Sequence, residues 1–391
     1  MAQDNFPEAQ RPYDRILMVT HEFAPTPGGI ATYCEETALA AARAGWTVDI
    51  AAPRNALPAR DAPYGLYRLP VNGTQGWFDR LRLGAALRRL PIPWESTLLY
   101  LPEPAPLRLY MYARWLKLPR PAALVLTLHG SEIRLLGDRF HRRQNFGRLC
   151  ASADRIGVVS DFVRQELLRR YPGLAPKLVH VPGAVRSDLQ QLARQRPPVP
   201  KIKKDGRPFD LLSVARIHPR KGLDLAIKAL ARLPDDLKRQ IHYRVVGPLK
   251  RKGHAQSLHQ AAERAGLSLT FMGTVSLPEL GRLYAEADLL LFPSRELPKS
   301  VEGLGLTILE AAAFGLPAIA TATGGTRETI RDGHTGRLIK PGDPAAFAAA
   351  VAELLQNRSI RNRLANKAPE HAASFSWDAN SARLFAHSHP G

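Results

Sequence analysis

Two carboxylates eight positions apart frame the segment Glu302-Gly-Leu-Gly-Leu-Thr-Ile-Leu-Glu310. Upstream, Asp288-Leu-Leu-Leu-Phe-Pro-Ser294 has the composition of a buried strand that ends in a turn. Downstream, residues 306–314 are compatible with a helix, which Gly315 would end. We therefore predict a glycine loop between a strand and a helix, with Glu302 in the loop and Glu310 about one turn inside the helix.

A glycine loop in front of a helix suits an anionic ligand. The first N–H groups of a helix are unpaired and carry partial positive charge, so a phosphate is stabilised there. At a rise of about 1.5 Å per residue, the helical part between the two glutamates spans about 9 Å, close to the distance between the sugar and the ribose of a nucleotide-sugar. The alternative is that Glu302 only caps the helix and that Glu310 is solvated.

The same segment resembles the E-x7-E signature of family 4 of the retaining glycosyltransferases, which have the GT-B fold. The resemblance covers nearly the whole chain and is most specific over residues 211–342. It implies an α/β protein with two doubly wound, parallel-sheet, Rossmann-like domains that face a central cleft. The second domain would bind the nucleotide-sugar donor, and the first would bind the acceptor.

The chain alternates between short apolar runs and helical stretches, as expected for two such domains. We predict strands at residues 15–20, 46–51, 122–128, 155–160, 209–214, 242–246, 269–272, 288–292, 317–320 and 337–339. The segment 190–207 is rich in Pro, Lys and Arg, which is typical of a linker. We expect a first domain at 1–195, a linker at 196–207, a second domain at 208–370, and a C-terminal helix at 371–391 that returns to the first domain.

A basic motif follows the first predicted strand of the second domain and reads Ser213-Val-Ala-Arg-Ile-His-Pro-Arg-Lys-Gly222. Arginine grips phosphate oxygens in a fork and lysine supplies a point charge. The pattern Arg-x4-Lys-Gly is similar to the phosphate-binding loop of the family, which implies that Arg216 and Lys221 stabilise the leaving diphosphate. The alternative is an exposed basic loop. No Asp-x-Asp follows a strand, so we expect neither a metal nor another cofactor to be required.

Two further motifs lie in the first domain. Leu126-Thr-Leu-His-Gly-Ser-Glu132 places His129 directly after a strand, where it is either a satisfied structural histidine or a hydrogen-bond partner of the transferred sugar. The family carries a histidine at the matching place, which implies the second role. Gly28 and Gly29 resemble the glycine pair whose N–H groups face the phosphate and the acceptor, although a tight turn is the alternative. The pair is not a G-x-G-x-x-G fingerprint, which argues against a dehydrogenase.

The resemblance also implies donor contacts for loop residues of the second domain. Besides Arg216 and Lys221, they are Gly247, Val275, Ser294, Glu302, Gly303, Leu304, Gly305, Leu306, Thr307 and Glu310. Glu302 would orient hydroxyls of the donor sugar and Glu310 would hold the ribose. The expected catalytic set is therefore His129, Arg216, Lys221 and Glu302. Glu296 could compete for the sugar, but only Glu302 has the required spacing to Glu310.

The composition bounds the class of protein. The chain has 391 residues, 45% of them apolar, and this is comfortable for two domains. Its two cysteines, Cys34 and Cys150, are far apart, its N-terminus is polar, and no apolar run approaches the length of a membrane span. We therefore expect a cytoplasmic protein. The formal net charge of +20 implies an anionic partner.

Basic and aromatic residues alternate between positions 77 and 120. The basic ones are Arg80, Arg82, Arg88, Arg89, Arg108, Arg114, Lys117 and Arg120, and the aromatic ones are Trp77, Phe78, Trp94, Tyr100, Tyr110, Tyr112 and Trp115. Residues 78–90 can form a helix with one apolar and one cationic side, and such faces bind anionic lipid surfaces. We expect peripheral docking on the inner face of the membrane. The alternatives are a solvated basic surface with aromatics in the core, and nucleic-acid binding, for which no reader module is recognisable.

Together with these features, the family resemblance implies a retaining, metal-independent hexosyltransferase that uses a UDP- or GDP-sugar. Its acceptor would be polar or lipid-linked, in the assembly of a glycan, polysaccharide or glycolipid. In the family the displacement occurs on the front face, with the leaving phosphate taking the acceptor proton. The alternatives are a GT-B-like epimerase or phosphorylase, the latter without a lysine placed for pyridoxal phosphate, and a non-catalytic protein that binds a sugar-nucleotide or a lipid.

Overall fold

The computed structural model describes residues 13–26, 28–57, 61–71, 77–113, 116–137, 140–195, 207–249 and 252–386. The chain divides into two compact units. Unit 1 comprises Met1–Val181 and Trp377–Gly391, and unit 2 comprises Pro182–Ser376. Within the described ranges, no helix combines the length and the apolar character that crossing a bilayer requires.

Strands and helices alternate along both units. The strands are β1 (Arg15–Val19), β2 (Thr47–Pro53), β3 (Gly65–Leu69), β4 (Thr97–Leu101), β5 (Ala123–Leu128), β6 (Arg155–Val158), β7 (Leu178–His180), β8 (Phe209–Val214), β9 (Ile241–Val246), β10 (Ser268–Gly273), β11 (Leu289–Phe292), β12 (Ala318–Thr321) and β13 (Gly336–Ile339). The helices are α1 (Gly29–Arg43), α2 (Trp77–Leu87), α3 (Pro104–Tyr110), α4 (Ser131–Gly137), α5 (Phe140–Ser152), α6 (Asp161–Leu168), α7 (Ser187–Gln195), α8 (Leu223–Leu230), α9 (Asp235–Lys238), α10 (Lys252–Arg264), α11 (Leu277–Glu286), α12 (Leu306–Ala313), α13 (Thr326–Thr329), α14 (Pro344–Gln356), α15 (Arg358–Ala373) and α16 (Trp377–Phe385). Every strand predicted from the sequence is present, with its ends shifted by at most two residues.

Unit 1 is built on a parallel sheet of seven described strands in the order β3-β2-β1-β4-β5-β6-β7. The strand order reverses between β1 and β4, which both lie at the centre of the sheet. The sequence prediction missed β3, β4 and β7. All five residues of β4 are buried, as in other central parallel strands, but the run is short and lies among the basic and aromatic residues of positions 77–120.

Unit 2 is built on a parallel sheet of six described strands in the order β10-β9-β8-β11-β12-β13. This is the order of a doubly wound sheet, and it reverses between β8 and β11. In such sheets a ligand binds outside the carboxyl ends of the strands where the order reverses. The loops that follow Val214 and Phe292 therefore flank the expected site. The doubly wound α/β prediction is confirmed for both units.

The two units do not divide where the sequence suggested. Helix α7 packs against α11 and α12, and its Leu189 is fully buried in the core of unit 2, so the division falls before α7 rather than at residue 195. The predicted linker lies outside the described residues except for Arg207. Helix α15 belongs to unit 2, so the C-terminal helix begins at Trp377 and not at residue 371. It packs on α1 and buries Leu384 and Phe385 in the core of unit 1.

Candidate functional site

The loops after β8 and β11 contact each other at the reversal point of the unit 2 sheet. Gly222 has a φ of 64°, and a Cβ atom there would lie 1.8 Å from the carbonyl oxygen of Pro293. The Arg295 N–H donates to the carbonyl of Arg220 at 2.7 Å, and the Thr321 hydroxyl donates to the carbonyl of Ser294. Only glycine at position 222 permits this contact, because any side chain would collide with the backbone of the facing loop.

Glu302 is the centre of a buried ionic cluster that joins the two loops. Its Oε2 atom accepts hydrogen bonds from Arg220 Nη1 at 2.6 Å and from Lys221 Nζ at 2.7 Å. The Ser294 hydroxyl approaches the same oxygen at 3.3 Å. The side chains of Arg220, Lys221 and Glu302 are only 12%, 15% and 11% exposed. Two cations and one carboxylate therefore share a site that excludes most water, with one positive charge in excess.

The cluster fixes the charge of Glu302. Burial by itself raises the pKa of its carboxyl, but the charges and hydrogen bonds of Lys221 and Arg220 outweigh burial and lower the pKa from 4.5 to about 2. Burial lowers the pKa of the Lys221 ammonium, and Glu302 opposes this effect. The Lys221 ammonium also lies 5.1 Å from the centre of the Phe292 ring. Glu302 is therefore ionised at neutral pH.

Helix α12 begins directly after the glutamate loop and presents its N-terminus without a side-chain cap. Gly305 occupies the N-cap position in the left-handed region, with a φ of 101°. The Thr307 hydroxyl, in the first turn, is buried and has no hydrogen-bond partner. Gly303 is half-buried and has no side chain, and Leu304 is buried. The loop in front of α12 therefore offers backbone groups rather than side chains. An uncapped helix N-terminus of this kind can bind an anion.

A second glycine loop, not recognised from the sequence, supports the glutamate loop. Gly324 has a φ of 53°, and a Cβ atom there would lie 2.0 Å from the carbonyl oxygen of Glu302. A Cβ atom on Gly325 would lie 2.0 Å from the carbonyl oxygen of Gly303, and the Gly325 N–H donates to the Glu302 carbonyl at 3.0 Å. The adjacent glycines in Thr323-Gly-Gly-Thr326 are the sequence signal for this support.

Glu310 lies inside α12 and is buried, not solvated. Its Oε2 atom accepts a hydrogen bond from the Tyr284 hydroxyl, on α11, at 2.8 Å. Burial, followed by the neighbouring Glu310 charge, raises the pKa of Tyr284 well above its ordinary value, so the tyrosine stays a proton donor. The sequence prediction did not foresee Tyr284, because nothing in the sequence relates a residue of α11 to one of α12.

The remaining residues predicted in unit 2 lie in the loops that follow its strands. Arg216 is exposed, and its charge acts on Lys221. Gly247 has a φ of 144°, and a Cβ atom there would lie 2.1 Å from the carbonyl oxygen of Ala215, so the loop after β9 lies against the loop that carries Arg216. The Gly247 N–H donates to the carbonyl of Gly273 at 2.8 Å, and half-buried Val275 packs on the core below. Glu296 is exposed and accepts from the N–H of Gly324.

His129, Gly28 and Gly29 lie in unit 1. The Nε2 atom of His129 is 2.8 Å from the carbonyl oxygen of Pro102, which makes Nε2 the protonated nitrogen because a carbonyl can only accept. Its ring packs edge-on against Tyr33 at 5.1 Å. Gly28 caps α1 in an extended conformation, and a Cβ atom there would meet only the Glu22 carboxylate, at 3.7 Å. Gly29 is the first residue of α1.

Sequence reasoning missed the role of Arg220. The prediction assigned Lys221 to phosphate and Glu302 to sugar as separate contacts, whereas the structure pairs the two directly and adds Arg220 as a second cation on the same carboxylate oxygen. The sequence could have indicated this role, because Arg220 directly precedes Lys221 in the same motif. A buried carboxylate needs a cationic partner, and each cation of the motif was a candidate. In the described part of the chain, no group of three or more His, Cys, Asp or Glu side chains is arranged to hold a metal ion.

The aromatic residues of positions 77–120 do not all lie on the surface. Tyr100 and Tyr110 are buried in the core of unit 1, which corrects their place in the expected membrane face. Phe78 and Leu81, on α2, are 62% and 44% exposed, and Arg82, Arg88 and Arg89 are exposed as well. Arg114, Trp115 and the side chains of Trp77 and Arg80 lie outside the described residues, as does Pro27.

Two family models together match most of the chain. The model described as "Glycosyltransferase Family 4" matches residues 27–189, and the model described as "Glycosyl transferases group 1" matches residues 197–371. The first match covers most of unit 1, and the second covers every site residue described in unit 2.

Curated relatives carry names of the same class. A "D-inositol 3-phosphate glycosyltransferase" of Streptomyces coelicolor is 32% identical over 279 residues, which cover 68% of this chain and 57% of that protein. The chain thus spans about half the length of the first relatives it matches. A "GDP-mannose-dependent alpha-(1-6)-phosphatidylinositol monomannoside mannosyltransferase" of Mycobacterium tuberculosis is 28% identical over 382 residues, 95% of this chain and 97% of that protein.

Solved structures share the fold at low sequence identity. Sucrose-phosphate synthase from Thermosynechococcus elongatus is 20% identical and superposes with a TM-score of 0.77, covering 95% of this chain and 97% of that one. WaaG, "a glycosyltransferase involved in lipopolysaccharide biosynthesis", is 18% identical with a TM-score of 0.69, covering 95% of this chain and 100% of that one. At these identities the similarity concerns the fold alone.

Proposed function

The chain belongs to glycosyltransferase family 4 and has the GT-B fold, and we propose that it transfers a hexosyl group from a nucleotide-sugar to an acceptor that carries an inositol ring. The single observation that carries this proposal is the cluster of Arg220, Lys221 and Glu302 beside the uncapped N-terminus of α12. The names of the curated relatives support the acceptor class, either as a free inositol phosphate or as a phosphatidylinositol glycolipid.

The proposed donor site neutralises a pyrophosphate without a metal. Lys221 leaves Glu302 for the pyrophosphate, and exposed Arg216 approaches it from the same loop. Arg220 stays on Glu302 and keeps that carboxylate paired. The first N–H groups of α12 and the Thr307 hydroxyl complete the site. Such preorganised donors stabilise the charge that develops on the leaving diphosphate.

The proposed sugar and ribose contacts follow from the charge states of the side chains. Ionised Glu302 accepts hydrogen bonds from hydroxyls of the donor sugar. His129 donates its Nε2–H to Pro102, so its Nδ1 atom is free to accept a hydroxyl of the sugar. Glu310, held in place by Tyr284, accepts from the ribose. Gly28 leaves room for close approach of a ligand at the start of α1, next to Gly29.

We propose retention of the anomeric configuration by displacement on the front face. The acceptor oxygen bonds to the anomeric carbon as the bond to the diphosphate oxygen breaks, and the acceptor proton passes to that leaving oxygen. The anomeric configuration of the first product, read by proton NMR before it can equilibrate, tests this step. An inverted product would contradict it.

The proposed enzyme works at the inner face of the membrane when its acceptor is a lipid. Exposed Phe78 and Leu81 on α2, flanked by Arg82, Arg88 and Arg89, support a peripheral contact with anionic lipid. Nucleic acid is not proposed as a partner.

The proposed function is tested in two steps. Thermal shifts with UDP, GDP and their sugars identify the donor, because a ligand of the native state raises the melting temperature. Transfer is then measured from that donor to D-inositol 3-phosphate and to vesicles that contain phosphatidylinositol monomannoside. Sugar on either acceptor supports the proposal. Binding without transfer or donor hydrolysis would indicate a non-catalytic protein, and an epimerised donor would indicate an epimerase.

A further inference from the structure

A histidine at the carboxyl edge of the unit 1 sheet has an imidazole without a hydrogen-bond partner. His21 follows β1, its side chain is only 2% exposed, and neither ring nitrogen has a hydrogen-bond partner. A neutral imidazole has one N–H donor and one acceptor, and leaving both unpaired in the interior is unfavourable. Native proteins rarely retain such groups unless they serve a site.

A buried carboxylate holds this histidine in place. Glu103 follows β4 and is fully buried. Its Oε1 atom accepts the backbone N–H of His21 at 2.9 Å, and its Oε2 atom accepts the N–H of Ala105 at 2.7 Å, so both oxygens are fixed. The Oε1 atom also lies 3.5 Å from Nδ1 of His21, which is beyond a normal hydrogen bond. The carboxylate therefore lies close to the ring in a fixed position but leaves the ring nitrogens without a hydrogen bond.

The pair lies where a doubly wound sheet binds ligands. β1 and β4 are neighbours, and the strand order of unit 1 reverses between them. His129 follows β5, on the other side of β4, and contacts the carbonyl of Pro102, the residue before Glu103. His21 and His129 thus flank the segment that ends β4, and both belong to the same edge of the sheet.

We propose that the imidazole of His21, positioned by Glu103, binds a hydroxyl group of the acceptor. This inference rests on the proposed function and deepens it. A hydroxyl both donates and accepts, so it can pair with a ring nitrogen in either tautomer. An anionic group would face the Glu103 carboxylate at close range, which disfavours the acceptor phosphate here. The ligand group is therefore a hydroxyl of the neutral ring of a cyclitol or sugar.

A binding role and a structural role for His21 predict opposite effects on stability. His21→Leu removes two unsatisfied nitrogens from the interior, so the melting temperature should stay the same or rise. The KM for D-inositol 3-phosphate should rise about tenfold, the loss of one hydrogen bond. Donor affinity and donor hydrolysis in water should stay at the wild-type values. A fall in the melting temperature with an unchanged acceptor KM would overturn the proposal.

His371→Leu is the matched control. His371 is a buried histidine of unit 2 with one unpaired ring nitrogen, and its Nε2 atom contacts the carbonyl of Glu328 at 3.2 Å. Its replacement should leave the acceptor KM unchanged. If His21→Leu does not fold, His21→Phe keeps a planar ring without polar atoms and serves the same comparison. A change in donor affinity parallel to the change in acceptor KM would assign the hydroxyl to the donor sugar and overturn the acceptor assignment.

A second readout does not depend on turnover. In the wild-type protein labelled with nitrogen-15 at histidine, D-inositol 3-phosphate should shift the ring signals of His21, identified by their absence in His21→Gln. Unshifted His21 signals at saturating D-inositol 3-phosphate would overturn the proposal even if transfer is observed. Failure of the proposed function is distinct, since it shows in the wild type as no binding of a nucleotide-sugar, as binding without transfer, or as an epimerised donor.

Discussion

At the level of single residues, the site depends on the excess of positive charge around Glu302. One carboxylate is paired with two cations, Arg220 and Lys221, at nearly equal distances. If either cation leaves, the other still neutralises the buried carboxylate. The cost of moving Lys221 to a phosphate is therefore small, whereas a lone ion pair would leave an uncompensated buried charge.

Replacement of the lysine should separate catalysis from stability. In Lys221→Met, Arg220 still pairs with Glu302, so the melting temperature should change little. Loss of one charged contact to the leaving diphosphate should lower kcat/KM for transfer about a hundredfold, or about 3 kcal/mol. Initial-rate kinetics and a thermal melt of the same preparation measure both quantities. Transfer at the wild-type rate would remove Lys221 from the phosphate site.

The depressed pKa of Glu302 predicts a specific loss of stability in acid. Its pKa is about 2 in the folded protein against an ordinary 4.5, so its contribution is fully present above about pH 5 and is lost as the pH falls towards 2. Relative to Glu302→Gln, the wild type should gain about 3 kcal/mol of unfolding free energy at pH 6 and almost nothing at pH 2. Urea unfolding at both pH values measures this difference. A difference independent of pH would contradict the pairing.

At the level of loops and strands, the support of the glutamate loop by Gly324 is open to a matched comparison. Gly324→Ala and Gly342→Ala both place a side chain at positive φ, 53° and 78°, and should share the cost of that strain. Only at position 324 does the new Cβ meet the Glu302 carbonyl, whereas at 342 no atom lies within 4 Å. Gly324→Ala should therefore weaken donor binding at least about tenfold, while Gly342→Ala should not. Calorimetric titration with the donor measures both; equal affinities would show that the contact does not shape the site.

The sequence predicted the secondary-structure elements better than it predicted the contacts between them. Apolar runs predicted the strands that line the site of unit 2 and, in unit 1, β1 and β5 on either side of the missed strand β4. The other two missed strands offered too little for a pattern, since β3 has one buried residue among five and β7 only three residues. The positions of Lys221 and Glu302 followed from loops after parallel strands, which meet at one edge of a sheet. Their direct contact spans 81 positions and required the folded chain. The same is true of Tyr284 on Glu310 and of Gly324 beneath Glu302.

At the level of the whole molecule, the net charge of +20 should attract the protein to anionic membrane surfaces. The wild type should co-sediment with vesicles of anionic lipid and not with neutral ones, and added salt should weaken this binding. Phe78→Ser with Leu81→Ser should lower it further by removing the apolar contact of α2. Leu249→Ser, at an exposed leucine of unit 2, is the control and should bind as the wild type does. Equal partition into neutral vesicles, or no binding at all, would exclude the proposed contact of α2 with anionic lipid.

The most direct test of the donor site is a crystal structure with the nucleoside diphosphate that the thermal shifts select. We expect pyrophosphate oxygens within about 3 Å of Lys221 Nζ and of the first N–H groups of α12. Glu302 should remain on Arg220, with its free oxygen turned to the space for the sugar. A pyrophosphate bound elsewhere, with Lys221 still on Glu302, would contradict the assignment of this site and with it the proposed enzyme.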